Sequence, residues 1–285
     1  MSAGADQPAT LAARVPRVPL IRIIVALLFV AVPVAALQLA GQTLALGWPV
    51  FAPIVILVTF ASYHAYVRLI EKRRPVAELA RRGAVAQAGI GFLVGAALFG
   101  ATMLVLWSIG VARIGPGTGW GALVPAFAAA LAAAASEEVL LRGVVFRIVS
   151  ERLGDRAALA ISAALFGALH AANPGATLIS SVAIALEAGV LLAAAFMVTR
   201  QLWLPIGMHA AWNFTEGGVF GASVSGHEVQ GLLSSRFEGH DLLTGGSFGP
   251  EASIVAVFIC LAASAALLGL ARVVARSRSA TAGPG

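Results

Sequence analysis

Charge is scarce in this sequence. Of its 285 residues, 11% are charged and 59% are hydrophobic, and the mean hydropathy is +0.91. So few charged residues cannot make a surface that faces water on all sides, so we expect the apolar majority to face lipid. The net charge of +6 does not indicate nucleic acid. The basic residues lie in short clusters between apolar runs, which is the pattern that orients membrane helices.

Cysteine and aspartate are also rare. Cys260 is the single cysteine, which excludes an intramolecular disulfide and a cysteine-based zinc or iron–sulfur centre. The three aspartates, Asp6, Asp155 and Asp241, lie outside the predicted spans, so a pair of membrane aspartates is excluded as a catalytic site. The zinc-helix motif His-Glu-x-x-His does not occur either.

Long apolar runs are abundant. A membrane-spanning helix needs about 20 predominantly apolar residues, and we predict an all-α, polytopic transmembrane bundle of about eight spans. They lie near 21–43, 49–70, 85–111, 121–149, 157–172, 177–199, 203–221 and 252–274. Basic residues concentrate in alternate loops, which places both termini in the cytoplasm and requires an even number of spans.

The predicted organisation follows from these spans. A disordered cytoplasmic tail (1–18) precedes the N-terminal transmembrane helices (19–118), which lead to a transmembrane core with the polar clusters described next (119–222). The remaining segments are a flexible outer loop (223–250), the last transmembrane helix (251–278) and a second tail (279–285).

Three short polar clusters interrupt the apolar helices of the core. They are Glu137-Glu138 with Arg142, Phe166 with His170, and His209 with Asn213. An ionisable side chain inside a span costs several kcal/mol unless it is paired or hydrated, so each cluster indicates function. The distance of each cluster from the nearest basic loop places all three in the cytoplasmic half or the middle of the bilayer. We therefore expect them to converge in a cavity that opens to the cytoplasm.

Helical spacing assigns roles within the clusters. Glu138 and Arg142 are four residues apart, which predicts an ion pair on one face. Glu137 points about 100° away and has no partner in its own helix, so we favour it as a general base. By the same spacing, Phe166 packs against His170, and His209 and Asn213 present two donors from one face.

Alternatives stay open for each of these residues. A single intramembrane histidine such as His170 or His209 can instead serve as a hydrogen-bonding residue between helices. Glu137 and Glu138 are purely structural if both pair with arginine. Glu187 in the sixth span can support the site, stabilise the fold or take part in transport. At the level of function, the alternatives are a transporter or channel with a Glu/His ion path, and a silent scaffold.

The three clusters together resemble a known family. Glu-Glu-x-x-x-Arg, Phe-x-x-x-His and His-x-x-x-Asn on successive spans are similar to the motifs of the CAAX protease and bacteriocin-processing family. This family, also called the Abi or type II CAAX prenyl endopeptidase family, contains intramembrane proteases. The resemblance covers roughly residues 120–216. Leu141 departs from it, because the family often has an aromatic residue before the arginine.

The resemblance implies an intramembrane endopeptidase. The resemblance implies that Glu137 activates the attacking water together with His170. His209 and Asn213 hold the oxyanion, and Glu138 with Arg142 stabilises the site. The expected substrate is a membrane-associated peptide or protein, prenylated in the family's best-known class. The sequence does not identify it.

Cofactors and location are further expectations. Members of the family are described both as metalloproteases and as metal-independent glutamate proteases. Glu137, His170 and His209 can supply the ligands of a divalent ion such as Zn²⁺. Asn213 is a better hydrogen-bond donor than zinc ligand, which favours direct activation by glutamate. We expect a multi-pass protein of the bacterial plasma membrane that contacts lipid and binds no nucleic acid.

Overall fold

The computed structural model describes residues 18–281. Residues 1–17 and 282–285 lie outside this range, and so does most of the chain that was predicted to form the two tails. At the C-terminal end the last helix continues to Thr281, so residues 279–281 are helical where the sequence predicts a tail.

Within residues 18–281, the apolar runs form eight long helical segments. They are α1 (Pro19–Thr43), α2 (Trp48–Ile70), α3 (Ala84–Ser108), α4 (Leu123–Glu138, continuing as a π-helix over Val139–Phe146), α5 (Arg147–His170), α6 (Leu178–Thr199), α7 (Trp203–Asn213, continuing as a π-helix over Phe214–Val219) and α8 (Ile254–Thr281). A further π-helical turn, Ala185–Gly189, lies inside α6. π-Helical turns are rare in proteins, and those that occur often lie near functional sites.

The predicted class, an all-α polytopic membrane protein, is confirmed. Six helical stretches among the described residues are long and apolar enough to cross a membrane by length and composition. One of them, Trp120–His170, is 51 residues long and contains both α4 and α5. The number of spans and the side on which the termini lie stay predictions.

The fourth and fifth predicted spans are joined rather than separated by a loop. Helical structure continues through 150–156, where the sequence predicts a connection, and the break is confined to Gly154. Its φ of 77° and ψ of 170° are not helical, and a positive φ is readily adopted only by glycine. A single residue therefore makes the turn between α4 and the apolar part of α5.

The segment predicted as a flexible outer loop contains regular structure. Strand β2 (Leu233–Phe237) pairs antiparallel with β1 (Ala112–Pro116), which follows α3. A helical turn at Asp241–Thr244 and a 3₁₀ turn at Pro250–Ala252 complete the segment before α8. The all-α prediction does not include this small sheet. Whether the segment is mobile stays a prediction.

Glycine allows α3 and α7 to pack closely. A Cβ atom on Gly95 would lie 2.1 Å from the backbone oxygen of Met208, and one on Gly207 would lie 2.2 Å from that of Ala88. Small residues let helix backbones approach in this way inside membranes. The contact fixes α7, and with it His209, against α3.

An ion-pair network joins α1, the end of α2 and α5. Glu71 accepts hydrogen bonds from Arg22 at 2.6 Å and from Arg147 at 3.0 Å. Arg147 also pairs with Glu151 at 2.9 Å, and Glu151 pairs with Arg22, which closes a ring of four charges. In the predicted orientation this network lies at the cytoplasmic side.

Candidate active site

The two adjacent glutamates lie at the junction where α4 changes from α-helix to π-helix. Glu138 is fully buried and its Oε1 accepts a hydrogen bond from Arg142 Nη1 at 2.9 Å. The predicted ion pair is therefore present. The Glu137 side chain, in contrast, is 35% exposed. Its Oε2 atom has no hydrogen-bond partner among the described residues.

Arg142 connects three helices. Its Nη2 donates to the backbone oxygens of Gly189 at 3.0 Å and Ala188 at 3.3 Å, both in the π-helical turn of α6. Its guanidinium carbon lies 4.9 Å from the centroid of the Phe166 ring on α5. A fully buried guanidinium is tolerated when a carboxylate, carbonyl oxygens and an aromatic face surround it. Arg142 therefore holds α5 and α6 against α4.

Phe166 and His170 form a stacked pair, as their spacing predicts. Their ring centroids are 4.7 Å apart with an interplanar angle of 22°. His170 Nδ1 lies 2.8 Å from the Phe166 backbone oxygen. A carbonyl oxygen only accepts hydrogen bonds, so Nδ1 must carry a proton. In the neutral ring, Nε2 is then the basic nitrogen.

His209 lies between the two glutamates. Its Nδ1 is 3.1 Å from Glu138 Oε1 and its Nε2 is 3.9 Å from Glu137 Oε2. The His209 ring also meets Phe166 edge to face, with centroids 5.9 Å apart. Residue spacing along one helix predicts neither contact of His209 with the glutamates, because both contacts join α7 to α4.

A small cavity of about 20 Å³ brings the histidines and Asn213 together. His170, His209 and Asn213 line it, whereas Glu137 does not and reaches the group through His209. Cavity residues that the sequence analysis missed are Ser225 and Glu251, which lie in or beside the predicted outer loop. No local sequence pattern indicates these two residues. They lie after the three polar clusters in the chain, and only the fold brings them to the cavity.

A buried carboxylate near the site was also missed. Glu216 is fully buried three residues after Asn213, in the π-helical end of α7. It falls inside the predicted span 203–221, so the rule that singles out ionisable residues in spans would have found it.

The predicted metal ligands do not form a metal-binding group. Among residues 18–281, no three His, Cys, Asp or Glu side chains are arranged so that they could hold a metal ion. Glu137, His170 and His209 therefore do not fit such a site in this geometry. Zinc binding stays a prediction, which metal analysis of the purified protein would test.

Comparison with known families supports the resemblance over part of the chain. Residues 119–215, about a third of the chain, match the family model described as type II CAAX prenyl endopeptidase, Rce1-like. Over this segment the chain is similar to that family. The matched segment contains all three polar clusters, and the resemblance expected from the sequence is confirmed. No curated protein and no solved structure matches the chain.

The match supports a coarse description of the chain. It is a multi-pass membrane protein, and its residues 119–215 are similar to a family of CAAX-type intramembrane proteases. The catalytic type, the substrate and the roles of individual residues go beyond that description.

Proposed function

We propose that the chain is an intramembrane endopeptidase that hydrolyses a peptide bond of a membrane-associated peptide or protein by means of a glutamate-activated water. The observation that carries this proposal is the position of His209, between Glu137 and Glu138 and at the edge of a cavity shared with His170 and Asn213. A base and a set of donors at one place are what peptide hydrolysis needs.

Activation of water is assigned to Glu137 and His170. The Glu137 side chain is partly exposed, and its buried Oε2 has no hydrogen-bond partner among the described residues. His170 offers Nε2, because its Nδ1 donates to the Phe166 carbonyl oxygen. As the water oxygen bonds to the substrate carbonyl carbon, its proton passes to these groups. When the C–N bond then breaks, the same proton is returned to the leaving amine.

Stabilisation of the oxyanion is assigned to His209 and Asn213. Asn213 donates from its side-chain amide. His209 Nδ1 is already committed to Glu138, so Nε2 donates only when the ring carries both protons as imidazolium. The site thus needs His209 protonated and its base unprotonated, which gives a bell-shaped dependence of kcat/KM on pH.

Glu138 and Arg142 support the site without touching the substrate. Glu138 orients His209 and neutralises Arg142, and Arg142 fixes Phe166, on which His170 stacks. Their removal should therefore reduce the amount of folded protein, whereas removal of Glu137 should leave folding intact.

Hydrolysis of an internally quenched peptide tests the proposal. The family name points to a peptide that ends in Cys-aliphatic-aliphatic-X with a farnesylated cysteine as the first probe. Purified wild-type protein in nanodiscs should cleave it, and Glu137→Ala should not. Glu228→Ala, at an exposed position, is the matched control and should cleave at the wild-type rate. Cleavage retained by folded Glu137→Ala protein would overturn the assignment of the base.

The same experiment also tests which class of substrate the protein recognises. A matched peptide without the farnesyl group shows whether prenylation is recognised.

The bacterial plasma membrane is the proposed location, and lipid is the proposed environment. The transporter alternative is untested, and nothing in the described residues favours it over hydrolysis.

A further inference from the structure

Arginine side chains line a second cavity, which shares no residue with the proposed active site. This cavity has a volume of about 300 Å³. It lies between α5 just after the break at Gly154, the end of α6 and the last turns of α8. Its charged lining residues are Asp155, Arg200, Arg272 and Arg278, and its apolar lining residues are Met197, Ala271 and Ala275. None of them takes part in the proposed hydrolysis.

The three arginines come from two places in the fold. Arg200 follows the last residue of α6, and its side chain forms an ion pair with Asp155 of α5. Arg278 lies near the end of α8 and donates a hydrogen bond to the Val198 backbone oxygen at 3.4 Å. Arg272 lies earlier on α8 and forms no ion pair with any residue in 18–281. Because three guanidinium groups face one carboxylate, the lining carries an excess of positive charge.

Alanines make the space between these arginines. Ala271 and Ala275 lie four residues apart, so they share the face of α8 that lines the cavity. Their small side chains leave room where larger residues would fill it. Arg272 and Arg278 flank this room on the same helix, ~9 Å apart along its axis. The cavity is therefore an open pocket with guanidinium groups on more than one side.

The pocket lies where apolar surface meets charged surface. Among the described residues, Ile254–Arg278 of α8 is long and apolar enough to cross a membrane, and it ends at the pocket. Large apolar side chains near the arginines in the chain are exposed, namely Leu270 and Val273 on α8 and Leu153 on α5. Arginines at the end of a span lie at the level of the lipid headgroups, and exposed apolar residues beside them contact acyl chains. The pocket therefore adjoins both zones of a lipid leaflet.

The chemistry of the lining fits a phosphate group. A guanidinium offers planar, paired N–H donors that match the oxygens of a phosphate. Asp155 does not prevent anion binding, because it is paired with Arg200 and holds that side chain in place. In the predicted orientation the pocket faces the cytoplasmic leaflet, which is where anionic phospholipids attract arginine clusters. A zwitterionic lipid fits less well, because its own cation is repelled by the excess positive charge.

We propose that this pocket binds the phosphate group of an anionic phospholipid from the cytoplasmic leaflet. Arg200, Arg272 and Arg278 donate to the phosphate oxygens, so the lipid links the end of α6 to α8. The acyl chains lie along the exposed apolar surface of α8 at Leu270 and Val273. A lipid that binds the folded protein in this way raises its Tm by mass action. Lipid binding goes beyond the proposed hydrolysis and does not depend on it.

Lipid titrations followed by thermal unfolding test the pocket. Purified wild-type protein in an uncharged detergent should show a saturable rise in Tm with phosphatidylglycerol and a much smaller one with phosphatidylcholine. Arg272→Gln should weaken the apparent affinity for phosphatidylglycerol about 5-fold. Arg276→Gln is the matched control, because Arg276 is exposed on the same helix and does not line the cavity. Equal responses to the two lipids, or equal effects of the two substitutions, would overturn the site.

A variant that keeps every charge tests the space itself. Ala275→Leu fills the pocket without removing an arginine, so it should weaken the affinity for phosphatidylglycerol by a similar factor. Ala266→Leu is its control, because Ala266 is exposed on the same helix outside the cavity. An unchanged affinity in Ala275→Leu would contradict binding in this pocket.

A soluble phosphate ester separates the two sources of the anion. Glycerol 3-phosphate, at the same concentrations as the lipid, should leave the Tm of the wild type nearly unchanged, because it has no acyl chains to bury against α8. A saturable rise in Tm equal to that with phosphatidylglycerol would overturn the lipid assignment. Each of these readings is independent of peptide cleavage, so the two proposals fail separately.

Discussion

His209 and Arg142 share a single carboxylate oxygen. His209 Nδ1 lies 3.1 Å and Arg142 Nη1 lies 2.9 Å from Glu138 Oε1. One buried carboxylate thus fixes the proposed oxyanion donor on α7 and the arginine that supports Phe166 on α5. Glu138 is the point at which the helices of the site are joined.

Glu138→Ala should destabilise the protein strongly. It leaves the Arg142 guanidinium fully buried without its carboxylate, and the loss of one partner of a buried ion pair costs about 3–5 kcal/mol. Thermal unfolding in detergent should show a large decrease in Tm and less folded protein. Glu228→Ala is the surface control and should unfold like the wild type. An unchanged Tm for Glu138→Ala would mean that Arg142 does not depend on this carboxylate.

Gly95→Ala should disrupt the contact between α3 and α7. The new Cβ would lie 2.1 Å from the Met208 backbone oxygen, so the helices must separate next to His209. Overpacking of this kind costs about 1–3 kcal/mol, and both Tm and peptidase activity should fall. Gly100→Ala on the same helix is the matched control, because its Cβ would meet nothing within 4 Å. Equal effects of the two substitutions would contradict the close packing.

The ion-pair network around Glu71 should make stability depend on pH. Burial alone would raise the pKa of Glu71, but Arg147 and Arg22 outweigh it and lower the pKa from 4.5 to about 2. A lowered folded-state pKa contributes stability that is present above pH 4.5 and is lost as the pH falls toward 2. The Tm of the wild type should therefore decline more steeply over this range than that of Glu71→Gln. Parallel declines would show that Glu71 is not selectively stabilised in its ionised form.

The parts of the site that the sequence predicts are those set by a single helix. Residues four apart share a face in any α-helix, so the Glu138–Arg142 pair and the Phe166–His170 stack follow from spacing alone. Apolar run length likewise predicts the eight helical segments. Contacts between helices depend on how the helices pack, so the link from His209 to Glu138 was not predictable from local sequence.

Other features of the structure could not be predicted from the sequence, each for a different physical reason. Gly154 breaks a helix at one residue, which leaves no polar linker to detect. β1 and β2 are short and separated by more than 100 residues of chain, so no hairpin pattern marks them. Ser225 and Glu251 belong to a segment whose glycine- and serine-rich composition is typical of a loop, yet it reaches the cavity.

The role of Glu137 is tested most directly by comparing the peptides in membranes from cells that produce either the wild type or Glu137→Ala at equal levels of folded protein. We expect cleaved peptides with new C-termini in the wild-type membranes and the corresponding uncleaved precursors with the variant. Identical peptide sets from the two membranes would contradict Glu137 as the base of an intramembrane endopeptidase.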